Sequence, residues 1–364
     1  MDYFEKLDKH IESHVDLYLK EVVQPSFPFI PTFSGVSWNS GHIGAVVDIP
    51  KYNSHFKGTD YYYTDSNRFI HYTRIRNLIN ILNDGFIRAY DLNFAEDPQE
   101  LLYAGKELLG NYSIEELKKL RSLTFALSMC IYDEEKNLDE FDLWRLYGER
   151  GLGVGIIFNF KGDSDRWDDE FISRVYYGEE QKIEIFKKFL KNHNEFHKKY
   201  KFEVLDRSFG QPGKIPLWIA IFLGFHKSGL YKLENEVRLL SYNDNRQFSD
   251  DSLGFSMNIK HEKCLYKKIP ILTKDNLFAA AKKNQIKLPD YKKDFNKNSD
   301  SGLIDEITLF TPMIEIEKII LGYRYDEKNL KRITESLQLE FIQKTDFNLK
   351  IELSPLVNKF ELRS

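Results

Sequence analysis

Apolar residues recur at Phe4, Leu7, Ile11, Val15, Leu19 and Val22, the spacing of one helix face. Pro25, Pro28 and Pro31 then break the pattern. It predicts an amphipathic N-terminal helix and a stiff connector, packed on the rest of the chain or on a partner protein. Residues 33–67 are rich in Gly, Ser, Asn and Tyr with weak periodicity, so a loop-rich segment with one strand near 43–49 is expected. Strong patterning begins at Arg68. Residues 69–73 read as a strand, 75–83 as a helix stopped by Gly85, and 86–92 as a second strand. Asp97-Pro98 and Ser113-Ile114-Glu115-Glu116 are helix-start signals.

Further on, strands are predicted at 123–130, 154–160 and 172–177. A helix at 139–150 carries Trp144 and Tyr147 on one side and stops at Gly151. A long charged helix follows at 182–202 and an apolar, buried one at 215–227. Strands come at 236–242, 252–259, 264–272, 316–321 and 349–353, with a helix at 327–337. Residues 282–301 are Lys/Asn/Asp-rich with almost no core pattern, so an exposed excursion is expected. Strands and helices mix without regular βαβ alternation. The expectation is an α+β fold of mixed or antiparallel sheets with flanking helices, comprising a 1–67 extension and a 68–364 main domain.

Composition narrows the function classes. The chain has 364 residues, 42% hydrophobic and 15% aromatic, so a large core can form. Its formal net charge of −4 excludes a global basic field for nucleic acid. Cys130 and Cys264 are the two cysteines, too few for a disulfide framework or a thiolate zinc site. No apolar run approaches the ~20 residues of a membrane span, and the charged N-terminus lacks a signal-peptide pattern. A cytoplasmic protein without a membrane is the expectation.

Two separated patterns carry candidate chemistry. Phe69-Ile70-His71-Tyr72-Thr73 places a His and a Thr on an otherwise apolar strand. Glu234-Asn235-Glu236-Val237-Arg238 places charge at every other position, which on a strand puts Glu234, Glu236 and Arg238 on one face. That suggests a polar cleft. His193 and His197 are spaced for a metal, but their Lys and Phe neighbours fit a helix face better.

An ordered set runs His71-Tyr72-Thr73, Leu92-Asn93, Asp97-Pro98-x-Glu100, Leu127-Ser128, Trp144-x-x-Tyr147, Gly153-Val154-Gly155-Ile156, Val175-x-Tyr177, Lys227, Glu234-x-Glu236-x-Arg238 and Ile319-Ile320-Leu321-Gly322. It resembles the bacterial domain of unknown function 2971 family over roughly residues 69–322. It departs where Phe94-Ala95-Glu96 separates Asn93 from Asp97. The His-x-Thr strand, the helix ending at Gly85-Phe86 and the late Glu strand are, more distantly, similar to the ADP-ribosyltransferase fold. That resemblance implies an ADP-ribosyltransferase-like core with NAD as co-substrate and no metal. His71 would hold a ribose hydroxyl with Thr73 in support, Glu236 would be the catalytic acid and Glu234 its auxiliary. Relatives of this fold act as toxins or as effectors that shut down phage-infected cells. The acceptor would be a protein or nucleic acid.

Physical chemistry agrees with these roles. Nicotinamide–ribose cleavage builds an oxocarbenium-like centre. A carboxylate ~4 Å away at an effective dielectric of ~20 contributes ~4 kcal/mol, about a thousandfold in rate if felt only in the transition state. The cationic ring favours an aromatic face, for which Tyr72, Tyr90, Trp144, Tyr147 and Tyr177 qualify. Arg74, Arg76 and Arg238 suit a pyrophosphate, and Ser128 completes the candidate cofactor-binding set. Two alternatives stand beside this. One is a metal-dependent nucleic-acid hydrolase using Asp97, Glu100, Glu234 and Glu236 with Lys227 or Lys232. The other is a non-catalytic module docking through the N-terminal helix and the 282–298 stretch.

Overall fold

A computed structural model describes residues 3–26, 32–39, 42–48, 59–63, 65–94, 121–133, 141–161, 170–178, 180–200, 222–242, 252–257, 262–286, 301–345 and 349–358, with isolated helical positions between 103 and 118. Of the expected helices opening at Asp97 and Ser113 only those isolated positions are described, and the 215–221 stretch and residues 287–300 lie outside the set.

The first helix, α1 (Tyr3–Tyr18), continues into a wider π turn over Leu19–Val23. Two strands, β1 (Thr32–Asn39) and β2 (His42–Asp48), form an antiparallel hairpin. Only the second was expected. Weak apolar alternation hid the first, although Ser40-Gly41 between them is a turn signal.

Next come β3 (Arg68–Thr73), α2 (Ile75–Asp84) and β4 (Phe86–Asp91), close to the expected bounds. Leu78, Ile81 and Leu82 give α2 its buried face, at about 1.5–3 kcal/mol for each side chain buried. Gly85 ends the helix in the left-handed region at φ 72°, and its N–H reaches the Ile81 carbonyl at 3.0 Å.

The remaining strands are β5 (Thr124–Ile131), β6 (Val154–Lys161), β7 (Glu170–Arg174), β8 (Tyr176–Tyr177), β9 (His226–Lys227), β10 (Glu236–Tyr242), β11 (Leu253–Met257), β12 (Lys263–Pro270), β13 (Met313–Leu321) and β14 (Lys350–Leu353). The helices are α3 (Phe141–Leu146), α4 (Glu180–Lys199), α5 (Lys274–Lys283), α6 (Ser301–Phe310) and α7 (Glu327–Thr345). The helix expected to reach residue 150 stops at Leu146. Positive φ at Glu149, Arg150 and Gly151 cannot continue a right-handed helix. The helix expected over 215–227 is helical at 222–223 and goes no further. The chain turns at 224–225, and His226–Lys227 pairs in parallel with β8. Neither α5 nor α6 was expected. Thr273 caps α5 by accepting from the Asn276 N–H at 3.1 Å, and α6 was hidden by the polar run before it.

Among the described residues ten strands make one sheet, in the order β11-β12-β4-β5-β3-β6-β13-β14, with β10 joining β5 to β7. Pairing is antiparallel apart from β13–β14. This is the expected α+β architecture. The main core lies on one face, where Phe69, Leu127, Met129, Val237 and Leu239 meet α2, α5 and α6. The opposite face carries a smaller core of Ile70, Tyr72, Leu143, Trp144, Ile157 and Ile320.

Val15, Tyr18, Leu19 and Val22, toward the end of α1 and in its π turn, are buried within the chain. The Tyr18 hydroxyl is hydrogen-bonded to His193 Nδ1 at 2.8 Å, and Tyr200 donates to Glu21 at 3.0 Å. His193 is fully buried in this aromatic contact rather than on a solvated helix face.

Candidate functional site

Strand β5 is where the sheet forks. One of its edges pairs with β10 from Thr124 to Cys130. The other edge is shared. Tyr90 and Asp91 of β4 pair with Ala126 and Phe125, while Phe69 and Ile70 of β3 pair with Ile131 and Cys130. Both strands diverge from the middle of β5. A polar backbone edge left open inside a protein needs a partner. His71, the first residue of β3 past the pairing, supplies it by donating from Nδ1 to the Ser128 carbonyl at 2.9 Å. A carbonyl only accepts, so the proton sits on Nδ1 and Nε2 carries a lone pair. The ring stacks on Phe158 at 5.9 Å. Burial holds its pKa below the ordinary histidine value, against the opposing pull of the Ser128 carbonyl, so the neutral form prevails at neutral pH.

A cleft of about 850 Å³ opens at the fork. Strand alternation sets most of its floor, while His71, on the β3 face of Phe69 and Thr73, borders it through the gap beside Ser128. Cys130 lies between Ile70 and Glu236, and Ser128 lies opposite Arg238. These five residues therefore share the face turned away from the main core. Tyr72, Tyr90, Tyr147, Tyr231, Lys227 and Glu234 complete the walls that matter here.

Glu234 does not belong to the strand, contrary to expectation. It ends a 3₁₀ turn over Gly229–Glu234, and Asn235 follows at φ 44° and ψ 47°. That left-handed step reverses the chain, so Glu234 reaches the cleft by a route of its own. Asn is one of the few residues that tolerates it.

The two carboxylates meet on Lys227. Its Nζ donates to Glu234 Oε2 and to Glu236 Oε2, each at 2.8 Å. Arg238 donates from Nε to Glu236 Oε1 at 2.6 Å, from Nη2 to Oε2 at 3.2 Å, and from Nη1 to the Gly224 carbonyl at 2.5 Å. Arg238 is 1% exposed, so this is no surface ion pair. Tyr147 donates to Glu234 Oε1, Cys130 Sγ donates to the Glu234 carbonyl at 3.3 Å, and Tyr177 accepts from the Glu236 N–H at 2.9 Å.

Burial raises the Glu236 pKa, while the charge and hydrogen bond of Lys227 and a hydrogen bond from Ser128 pull it back. For Lys227, burial opposes the charge but the two glutamates overcome it. Its pKa rises well above the ordinary value, so it stays an ammonium and is no amine nucleophile at neutral pH. Tyr147 and Tyr177 are pushed up by burial first, then by Glu234 and Glu236 respectively, and remain hydroxyl donors.

The candidates therefore separate. His71, Tyr72, Tyr90, Ser128, Tyr147, Glu234, Glu236 and Arg238 all line the cleft. Trp144, Thr73 and Arg74 do not. Trp144 is fully buried and packs edge-on against Tyr72 at 5.0 Å, so it offers no ring face to a ligand. Thr73 is buried and its hydroxyl accepts from Asn77 at 2.9 Å. Arg74 flanks α2 as its N-cap, exposed and outside the cleft lining, as is Arg76. Lys227, expected in the ordered set and in the hydrolase alternative, bridges both glutamates, a role the sequence did not show.

Among the described residues there is no group of three His, Cys, Asp or Glu side chains placed to hold a metal ion. Nor is any helix among them long and apolar enough to cross a membrane. Asp97 and Glu100, the further carboxylates of the hydrolase alternative, lie outside the described residues.

Residues 143–239 match the family model described as "Protein of unknown function (DUF2971)". The matched stretch runs from α3 to β10 and includes Tyr147, Lys227, Glu234, Glu236 and Arg238. No curated protein and no solved structure matches the chain.

Proposed function

We propose that the cleft binds the nicotinamide–ribose end of NAD and cleaves its N-glycosidic bond, passing ADP-ribose to a macromolecule or to water. The observation that carries this reading is the placement of His71 and Glu236. They come from strands far apart in sequence and line one cleft beside the fork.

In this reading the His71 Nε2 lone pair accepts a hydrogen bond from a ribose hydroxyl. The phenol rings of Tyr72, Tyr90, Tyr147 and Tyr231 offer faces to the nicotinamide cation. The bond from ribose C1′ to the ring nitrogen breaks, its electron pair goes to nicotinamide, and positive charge grows on the ribose. Glu236 stabilises that charge. An oxygen or nitrogen nucleophile then bonds to C1′ and loses its proton. The buried setting suits this chemistry because charges interact more strongly away from water.

The test is nicotinamide release from NAD in the presence of a bacterial lysate without added metal. Release by the wild type, reduced at least about a hundredfold in Glu236→Gln, is expected. Undiminished release by the variant refutes the reading. Modified lysate components separate transfer from hydrolysis.

A further inference from the structure

Glu236 occupies the position the chemistry needs, yet its carboxylate already holds positive charge. We propose that the Glu234–Glu236 pair is a subsite for a cationic group, and that Lys227 fills it in the resting protein as an internal surrogate that must leave before a substrate cation or an acceptor ammonium or guanidinium can enter. The proposal rests on the reading of the cleft given above.

Three observations support it. First, one ammonium bridges the two carboxylates at 2.8 Å each, inside a cleft large enough for a nucleotide fragment. A second positive charge ~4 Å away would be disfavoured about a thousandfold at an effective dielectric of ~20. Lys227 and a ribosyl or nicotinamide cation therefore exclude each other. Second, Arg238 stays on Glu236 whatever Lys227 does, through a rigid fork also anchored on the Gly224 carbonyl. The network thus contains one fixed cation and one on a flexible four-carbon stem. Third, Lys227 already touches an aromatic face and is carried by a short strand. Its Nζ lies 5.5 Å from the centre of the Tyr231 ring. The two-residue strand that carries it pairs with β8 outside the ten-stranded sheet. The turn that follows holds Leu230 and Leu233 at 89% and 73% exposure. In this proposal the ammonium slides along the Tyr231 ring that it already touches, its strand lying outside the ten-stranded sheet.

The test uses the full chain and Lys227→Met, which keeps the length of the stem and removes its charge. Binding of agmatine, a small guanidinium compound, is measured by calorimetry, and nicotinamide release is measured in parallel. The variant is expected to bind agmatine at least about thirtyfold more tightly than the wild type. A folded variant that binds it no better overturns the proposal, whatever happens to NAD. Gained agmatine binding without nicotinamide release from either protein leaves the surrogate in place and removes the NAD reading. Should Lys227→Met fail to fold, Lys227→Met/Glu234→Gln restores the wild-type formal charge of the network. Tighter agmatine binding at the remaining Glu236 is then expected, and wild-type affinity overturns the proposal.

Discussion

Glu236 touches two cations and Lys227 touches two carboxylates, so no member of the network can be removed alone without leaving a buried charge unmatched. Glu236→Ala is expected to lower stability by about 3–5 kcal/mol in urea denaturation, well beyond a surface ion pair. His71→Ala should cost about 1–3 kcal/mol because the Ser128 carbonyl loses its donor. His226 gives a pH signature of its own. It is buried, its Nε2 is hydrogen-bonded to the Tyr61 hydroxyl at 2.6 Å, and burial pushes its pKa down to about 4. The unfolded chain then binds the proton more readily than the folded one. Stability is full above the ordinary histidine value near 6.5 and is lost as pH falls from there toward 4. The loss is about 3 kcal/mol at most. His71 shifts the same way. Denaturation at pH 7.0 and 4.5 should show the decline, and His226→Gln should flatten it.

At the scale of elements, the turn between Lys227 and β10 matters most. Asn235 at positive φ lets two glutamates two residues apart approach one ammonium from different directions. Asn235→Gly should leave stability within a few tenths of a kcal/mol, whereas Asn235→Val should cost about 1–2 kcal/mol by thermal denaturation and displace Glu234. The sequence made β3, α2, β4 and β10 legible because each has a strong local period and a clear stop. It misled at 234, where alternating charge looked like strand pleat, and at 226–227, where the end of an apolar run concealed a two-residue strand. Local pattern carries no record of a left-handed residue or of a parallel partner fifty residues away. Trp144 illustrates the same limit. Its partner surface is created by Gly155, where an added Cβ would lie 2.9 Å from Ile70 and 3.6 Å from the indole. That fit across β6 belongs to tertiary packing.

The whole molecule assigns its two sheet faces different work. One is closed by α2, α5 and α6 over Phe69, Leu127 and Leu239. The other carries α3 over its β3–β6–β13 half and leaves the fork open. The α+β class was readable from the order of elements, since strands and helices never settle into βαβ units. The fork was not readable, because it depends on β5 pairing with three strands at once. A bulge in β13 between Ile316 and Lys318 adds another tertiary feature, as Arg68 donates from Nε to Glu317 at 2.9 Å and from Nη2 at 2.5 Å. Removing the side chain that fills β5's open middle edge should loosen the site without unfolding the sheet. His71→Leu is therefore expected to speed amide exchange at residues 127–129 by tenfold or more, with β6 and β13 unchanged.

The pairing of β10 with β5 also sets a clock. Cys130 and Glu234 touch across 104 residues of chain. Contacts of such separation form late, because the loop between them must be closed before they contribute. During synthesis, β3, α2 and β5 emerge well before Lys227, Glu234, Glu236 and Arg238 exist. A chain still on the ribosome has one wall of the cleft without the Lys227, Glu234, Glu236 and Arg238 network. The complete charge network can assemble only once β10 has been made, so a truncated product ending before that strand cannot carry it.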